Sequence, residues 1–231
     1  MASFSVLLLT ASPSGAAAES GGTFVKLDAR EALLRTVELF LNREPIKQIQ
    51  ICFLPEAMDE AKRKYTAHLS FTGVRMLSGG PKWMDQIVAA AGKIAPECTH
   101  VMVHDAARPA LPYTDLEALL EAAGKHEVVA LVAPLKVPLL EADEGGGAMA
   151  IRPAGEFMQF LGTQVYSRKK FEEMAKSKQE PHVSQWHLLK GSPLNVRLGS
   201  AGDVSLVKAM LNLMPKPKVK GPTSPFEEAQ W

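Results

Sequence analysis

The chain has 231 residues, 46% of them apolar, which is enough to bury a full core and allows one α/β domain or two small ones, of which one is expected. Its 26 basic and 25 acidic side chains leave a formal charge of +1, which excludes a global field that would draw it to nucleic acid or an anionic membrane, so any phosphate binding must be local. No apolar run approaches the roughly 18 residues of a membrane-spanning helix; residues 1–20 lack the basic leading region and long apolar core of a signal peptide. Cys52 and Cys98 lack metal-ligand spacing, so buried free thiols in a reducing, cytoplasmic setting are expected.

Phe4 to Thr10 reads as a first strand, followed by a small-residue loop from Ala11 to Thr23. A loop at that place is either a phosphate cradle, in which free backbone N–H groups meet a triphosphate, or a plain surface connection. Asp28 is positioned to cap a helix running to about Leu41, whose leucines, Val37 and Phe40 form a broad apolar stripe. Ile46 to Leu54 reads as a second strand, Pro55 to His68 as a helix with Lys62, Arg63 and Lys64 toward solvent, and Phe71 to Leu77 as a third strand. Ser78-Gly79-Gly80 then turns into a helix from about Lys82 to Ile94, in which Trp83 either packs or stacks on a base.

Val101 to Val103 is a fourth buried strand that ends abruptly in His104-Asp105-Ala106-Ala107-Arg108-Pro109. Ligands bind at the carboxyl edge of open parallel sheets, and an Asp there can hold Mg²⁺ while an Arg a few residues on grips phosphate. Thr114 or Asp115 is expected to cap a helix to Ala123, and Val128 to Ala133 reads as a fifth strand. The stretch Pro134 to Ile151 lacks helical periodicity and turns at Gly145-Gly146-Gly147, which predicts a protruding β-hairpin arm. Ser167 starts a short helix, His182 to Lys190 reads as helical with His187 on its surface, and Gly202-Asp203 opens a last helix to about Met214. Beyond Pro215 the Pro, Lys and Gly content predicts a flexible tail.

Val103-His104-Asp105-Ala106-Ala107-Arg108-Pro109 resembles, residue for residue, the signature of the 2-C-methyl-D-erythritol 4-phosphate cytidylyltransferase family of non-mevalonate isoprenoid biosynthesis. Weaker resemblances follow in order: Gly79-Gly80, Gly162-Thr163-Gln164-Val165-Tyr166, Leu194-Asn195-Val196-Arg197 and Gly202-Asp203-Val204. The resemblance implies a Rossmann-like three-layer α/β/α nucleotidyltransferase fold with a mainly parallel sheet. It spans one domain over residues 1–214, followed by the tail at 215–231. The arm, about residues 134–152, would reach across the twofold axis of a homodimer and complete the partner's site.

The implied reaction is in-line attack of a methylerythritol phosphate oxygen on the α-phosphorus of CTP, in which positioning and charge neutralisation supply most of the catalysis. Carried over position by position, the resemblance assigns Asp105 to Mg²⁺ and, with Ala106, to substrate. Arg108 serves the signature turn and substrate phosphate, Lys26 the triphosphate, Arg197 the transition state, Gly79 and Gly80 the base, and Arg152 a phosphate contact from the arm. The chain departs from the family pattern at several ligand positions. The loop keeps one glycine, Gly15, and has Ala17 where the family has arginine; Trp83 and Gln86 replace an arginine and a serine. Val137-Pro138 replaces an Asp-Thr pair, and Arg197 replaces a lysine. These departures predict reduced CTP affinity, and they leave open a non-catalytic dimeric relative or a nucleotidyltransferase for another sugar or polyol phosphate.

Overall fold

The computed structural model describes residues 2–12, 22–28, 30–199 and 202–213. Its centre is β1 (Phe4–Leu9), buried at every position. Successive side chains of a strand point to opposite faces, and here Val6 and Leu8 join one apolar cluster while Leu7 and Leu9 join another. Both faces of the sheet are therefore covered, as near-continuous apolar strands require.

The remaining strands of the main sheet are β4 (Ile46–Phe53), β5 (Arg75–Ser78), β6 (His100–Asp105), β7 (Val128–Pro134), β10 (Met158–Ser167) and β11 (His187–Lys190). Their order is β11-β7-β10-β6-β1-β4-β5, and every pairing is parallel except the two made by β10. On one face lie α1 (Ala32–Glu38), α2 (Met58–Ser70) and α4 (Tyr113–Ala123), which supply Leu33, Val37, Tyr65, Leu69, Leu116 and Leu119 to the first cluster. On the other lie α3 (Trp83–Ala91) and α5 (Arg168–Ser177), which supply Ile87, Phe171 and Met174 to the second. The result is a three-layer α/β/α fold with a mainly parallel sheet.

Two small hairpins stand outside the sheet. One pairs β2 (Lys26–Leu27) with β3 (Arg30–Glu31). The other is the expected arm, β8 (Leu139–Ala142) against β9 (Ala148–Arg152). A last helix, α6 (Asp203–Leu213), packs Val207 with Leu27, Ala107 and Leu198.

Several expected boundaries move. Asp28 does not cap a helix: it sits in a left-handed conformation, φ 57°, at the β2–β3 turn, and α1 is correspondingly short. Pro55–Ala57 forms a 3₁₀ turn before α2, which runs on to Ser70, so Phe71 is an exposed helix end and β5 starts only at Arg75. Lys64 of α2 is not simply solvated, because it pairs with buried Glu31, which also accepts the Tyr65 hydroxyl. Pro112 occupies the N-cap position of α4, and Asp115 accepts the Ser192 N–H at 2.6 Å instead of capping. His182–Lys190 is not a helix; a 3₁₀ turn at Val183–Gln185 leads into β11. The open edge of β7 offers its ladder there, with Leu189 turned to the core and Leu188 to solvent.

Candidate active site

The carboxyl ends of β1, β4, β5 and β6 lie along one edge. Leu9 of β1 is in register with Cys52 of β4 and Asp105 of β6, while Ser78 of β5 faces Phe53. Gly79 continues from β5 by donating its N–H to Phe53 O, 2.9 Å, and Ala106 continues from β6 by donating to Leu9 O, 2.9 Å. The expected edge therefore holds both Gly79-Gly80 and Asp105, about three strand spacings or 14 Å apart.

Asp105 is completely buried. Its Oδ1 accepts the N–H of Ala107 at 3.0 Å, which closes the signature turn. Its Oδ2 accepts Arg197 Nε at 2.8 Å, and Arg108 Nε lies 3.6 Å away on the same oxygen. One carboxylate thus gathers two guanidiniums, one from its own turn and one from a segment 92 residues further on. The segment is irregular, not a strand. It is held to the turn because Leu198 donates its N–H to Ala107 O at 2.9 Å, Arg108 Nη1 donates to Asn195 O at 2.5 Å, and Asn195 Nδ2 donates to Leu161 O at 3.1 Å.

Arg108 is almost buried and burial pulls its pKa down, with Asp105 opposing that shift. The room for it comes from Gly162, whose φ is +68°; a Cβ there would stand 2.6 Å from Arg108 Nε and 3.1 Å from Asp105 Cβ. His104 secures the other side of the turn. Its Nε2 lies 3.1 Å from Arg108 O and its Nδ1 2.8 Å from Thr163 Oγ1. A carbonyl only accepts, so Nε2 carries the proton and the Thr163 hydroxyl donates to Nδ1. Burial holds this imidazole neutral, its pKa lowered to about 3.

The remaining candidates fall in different places. Ala106 is buried, with its N–H given to Leu9 and its C=O accepting the Thr36 hydroxyl, so its amide is not free for a ligand. Lys26 stands exposed on β2, next to Leu27, which packs with Ala107 and Leu198 beneath the signature turn. Gly79 and Gly80 are demanded by packing: a Cβ would come within 2.6 Å of Cys52 Sγ at the first and 2.8 Å of Asp85 Oδ2 at the second. Arg152 is not brought to the cluster within the chain; it pairs with Glu141 across the arm at 2.9 Å. Trp83 is buried among apolar side chains, a packing residue. Pro13, Gly15 and Ala17 of the loop, like the tail from Met214, lie outside the described residues.

One residue has a role that composition and spacing did not reveal. Gln86, fully buried on α3, accepts the N–H groups of Thr10 at 3.0 Å and Ala11 at 3.2 Å through Oε1, and donates to Thr10 Oγ1 at 3.2 Å. The first two amides of the loop after β1 are therefore engaged by a side chain. The only advance signal is that a glutamine falls where the family pattern has a serine.

At this edge two guanidiniums share one carboxylate. A divalent cation drawn to Asp105 would lie close to both guanidiniums, where two unit charges at 4 Å repel by about 4 kcal/mol at an effective dielectric constant of about 20. As arranged, these residues do not fit Mg²⁺ on Asp105. A separate open cavity of about 520 Å³, lined by Lys125, His126, Trp186 and His187 among others, lies at the amino ends of β7 and β11, the opposite edge of the sheet. No helix among the described residues is long and apolar enough to cross a membrane.

Known proteins with this architecture carry related sequences. Proteins named 2-C-methyl-D-erythritol 4-phosphate cytidylyltransferase from Clostridioides difficile and Bacillus pumilus are 18% and 21% identical to this chain, over 85% and 82% of it and 88% of each relative. The crystal structure of 4-diphosphocytidyl-2C-methyl-D-erythritol synthase from Anaerococcus prevotii superimposes with a TM-score of 0.73 at 14% identity, covering 91% of this chain and 96% of that one. The cytidylyltransferase from Thermus thermophilus gives 0.68 at 19% identity, covering 90% and 98%. The sequence model of the family matches residues 6–212. With that match, and with the signature turn seated on the carboxyl edge of the sheet, the chain belongs to the 2-C-methyl-D-erythritol 4-phosphate cytidylyltransferase family, nucleotidyltransferases of non-mevalonate isoprenoid biosynthesis.

Proposed function

We propose that this chain binds CTP and transfers its cytidylyl group to 2-C-methyl-D-erythritol 4-phosphate in the cytoplasm, releasing pyrophosphate, more slowly than relatives with a complete phosphate loop. The observation that carries this reading is the convergence of Arg108 and Arg197 on Asp105 at the sheet edge where the loop after β1 begins. Nucleotidyl transfer needs charge neutralisation and alignment more than a nucleophilic side chain. Arg197 faces the developing charge on the phosphates, Lys26 the triphosphate, and the Gly79-Gly80 turn the base. The resemblance that brings CTP also brings Mg²⁺, with Asp105 as the acid for it to meet, and the two guanidiniums on that acid stand against the assignment.

The working unit in this reading is a homodimer. The arm exposes Leu140, Met149 and Ile151, at 63%, 65% and 72%, on a two-stranded ribbon with no core of its own. Two strands are marginal in water, so a second copy is the natural cover, and Arg152 would then serve the partner's site. A pyrophosphate-release assay with CTP, Mg²⁺ and 2-C-methyl-D-erythritol 4-phosphate, run beside Asp105→Asn, tests the activity. Turnover lost in the variant is expected; turnover unaffected by it would sink the site assignment.

A non-catalytic relative is the second reading, and one observation favours it: Gln86 already holds the Thr10 and Ala11 amides. It expects no pyrophosphate with this substrate or with other sugar and polyol phosphates, and no CTP binding in a calorimetric titration.

A further inference from the structure

We propose that Asp105 is not a metal ligand in this chain but the anchor of a built-in cation: Arg197, held through Nε, presents its two Nη groups to the nucleotide phosphates and stands where a divalent ion would otherwise be required. The inference deepens the CTP-binding reading and rests on it.

Three features carry it. The first is the state of the carboxylate, whose Oδ1 is committed to the Ala107 N–H and whose Oδ2 is committed to Arg197, with Arg108 Nε beside it. An ion reaching Asp105 would have to displace Arg197, since the acid side chain is 1% exposed and the arginine covering it 22%. The second is the unused part of the guanidinium. Arg197 meets Asp105 through Nε alone, and no acceptor among the described residues takes up its Nη groups, although Arg108 is pinned by both Asp105 and the Asn195 carbonyl. The third is the chemistry of arginine at this position. A lysine's three donors radiate from one nitrogen, so any phosphate it served would have to lie beside Asp105 itself, whereas the planar fork gives one N–H to the acid and offers a pair to a phosphate on its far side. Asp105 is thus a positioning residue, fixing the angle at which Arg197 meets the anion.

Two measurements separate this from metal ligation. Calorimetric titration with CTP, in Mg²⁺ and then in EDTA, is expected to give affinities within about threefold of each other. Arg197→Ala is expected to weaken CTP binding by about tenfold or more in EDTA, and Arg197→Lys to make binding depend on Mg²⁺. Paramagnetic resonance of Mn²⁺ alone is expected to show no ion in the native protein that Asp105→Asn releases. A native protein that binds Mn²⁺ through Asp105, so that Asp105→Asn releases the ion, or whose CTP affinity falls more than about tenfold in EDTA, overturns the inference. Should CTP bind in neither condition, the CTP-binding reading fails, and with it the phosphate part of the inference. The Mn²⁺ comparison still decides whether Arg197 closes Asp105 to metal.

Discussion

Single atoms decide how the signature turn is held. Gly162 combines a left-handed backbone, φ +68°, with a Cβ direction that points at Arg108 Nε; Gly146, at φ +81° on the arm, has nothing within 4 Å. Alanine at Gly146 carries only the conformational cost, about 1–2 kcal/mol, while at Gly162 it must also displace a buried guanidinium. Gly162→Ala is therefore expected to cost about 3 kcal/mol or more in urea unfolding, and a loss no larger than that of Gly146→Ala would show that Arg108 has slack. His104 supplies a second test. Its folded pKa, about 3, lies below the 6.5 of an unperturbed imidazole, so the unfolded chain takes up a proton first. Stability from this group is complete above pH 6.5 and falls as pH drops, by about 1.4 kcal/mol per unit. Burial pushes the Glu180 carboxyl up, which works in the opposite sense in acid, so the native-minus-variant difference is the quantity to follow. Unfolding free energies of native protein and His104→Gln, taken between pH 7 and 5, should converge by about 2 kcal/mol; parallel curves would mean that the imidazole is not held neutral.

Elements built from long apolar runs were legible from sequence. Phe4–Leu9, Ile46–Phe53 and Val128–Pro134 are strands buried almost throughout, and no helical periodicity competes with them. The glycine-marked arm and the Ser167 cap were legible for local reasons too, since Ser167 accepts the Lys170 N–H. His187–Lys190 was not, because four residues at a sheet edge take their conformation from the neighbouring ladder. Of the site, Asp105 and Arg108 were legible in one contiguous stretch; that Arg197 would close onto Asp105, and that Gln86 would cross from α3 to the loop amides, depends on tertiary approach. Gln86 also ties α3 to β1; the Thr10 N–H is shared with Cys52 O at 3.3 Å, so a serine in place of Gln86 gives up these bonds and opens the Ala11 amide. Gln86→Ser is expected to lower unfolding free energy by about 1–3 kcal/mol, from the lost buried hydrogen bonds, and to tighten CTP binding in calorimetry. Unchanged or weaker binding would show that the Ala11 amide is not what limits affinity.

At the scale of the whole molecule, the question is whether one chain holds a complete site. Arg152 pairs with Glu141 on the arm and touches none of the groups around Asp105. If a twofold-related copy lays its arm over this edge, each site takes Asp105 from one chain and Arg152 from the other. The consequence can be read by mixing two inactive proteins. In an Asp105→Asn and Arg152→Ala heterodimer, one site carries both substitutions and the other carries neither. Random exchange makes half of the dimers mixed, so equal mixing is expected to restore about a quarter of the native pyrophosphate release. If Arg152 serves its own chain, every site keeps one substitution and mixing restores nothing. Replacing Leu140 and Ile151 together by glutamate should break the dimer in sedimentation and abolish the restoration with it. A chain that stays dimeric after that change uses another face, and the arm's apolar surface then has a different occupant.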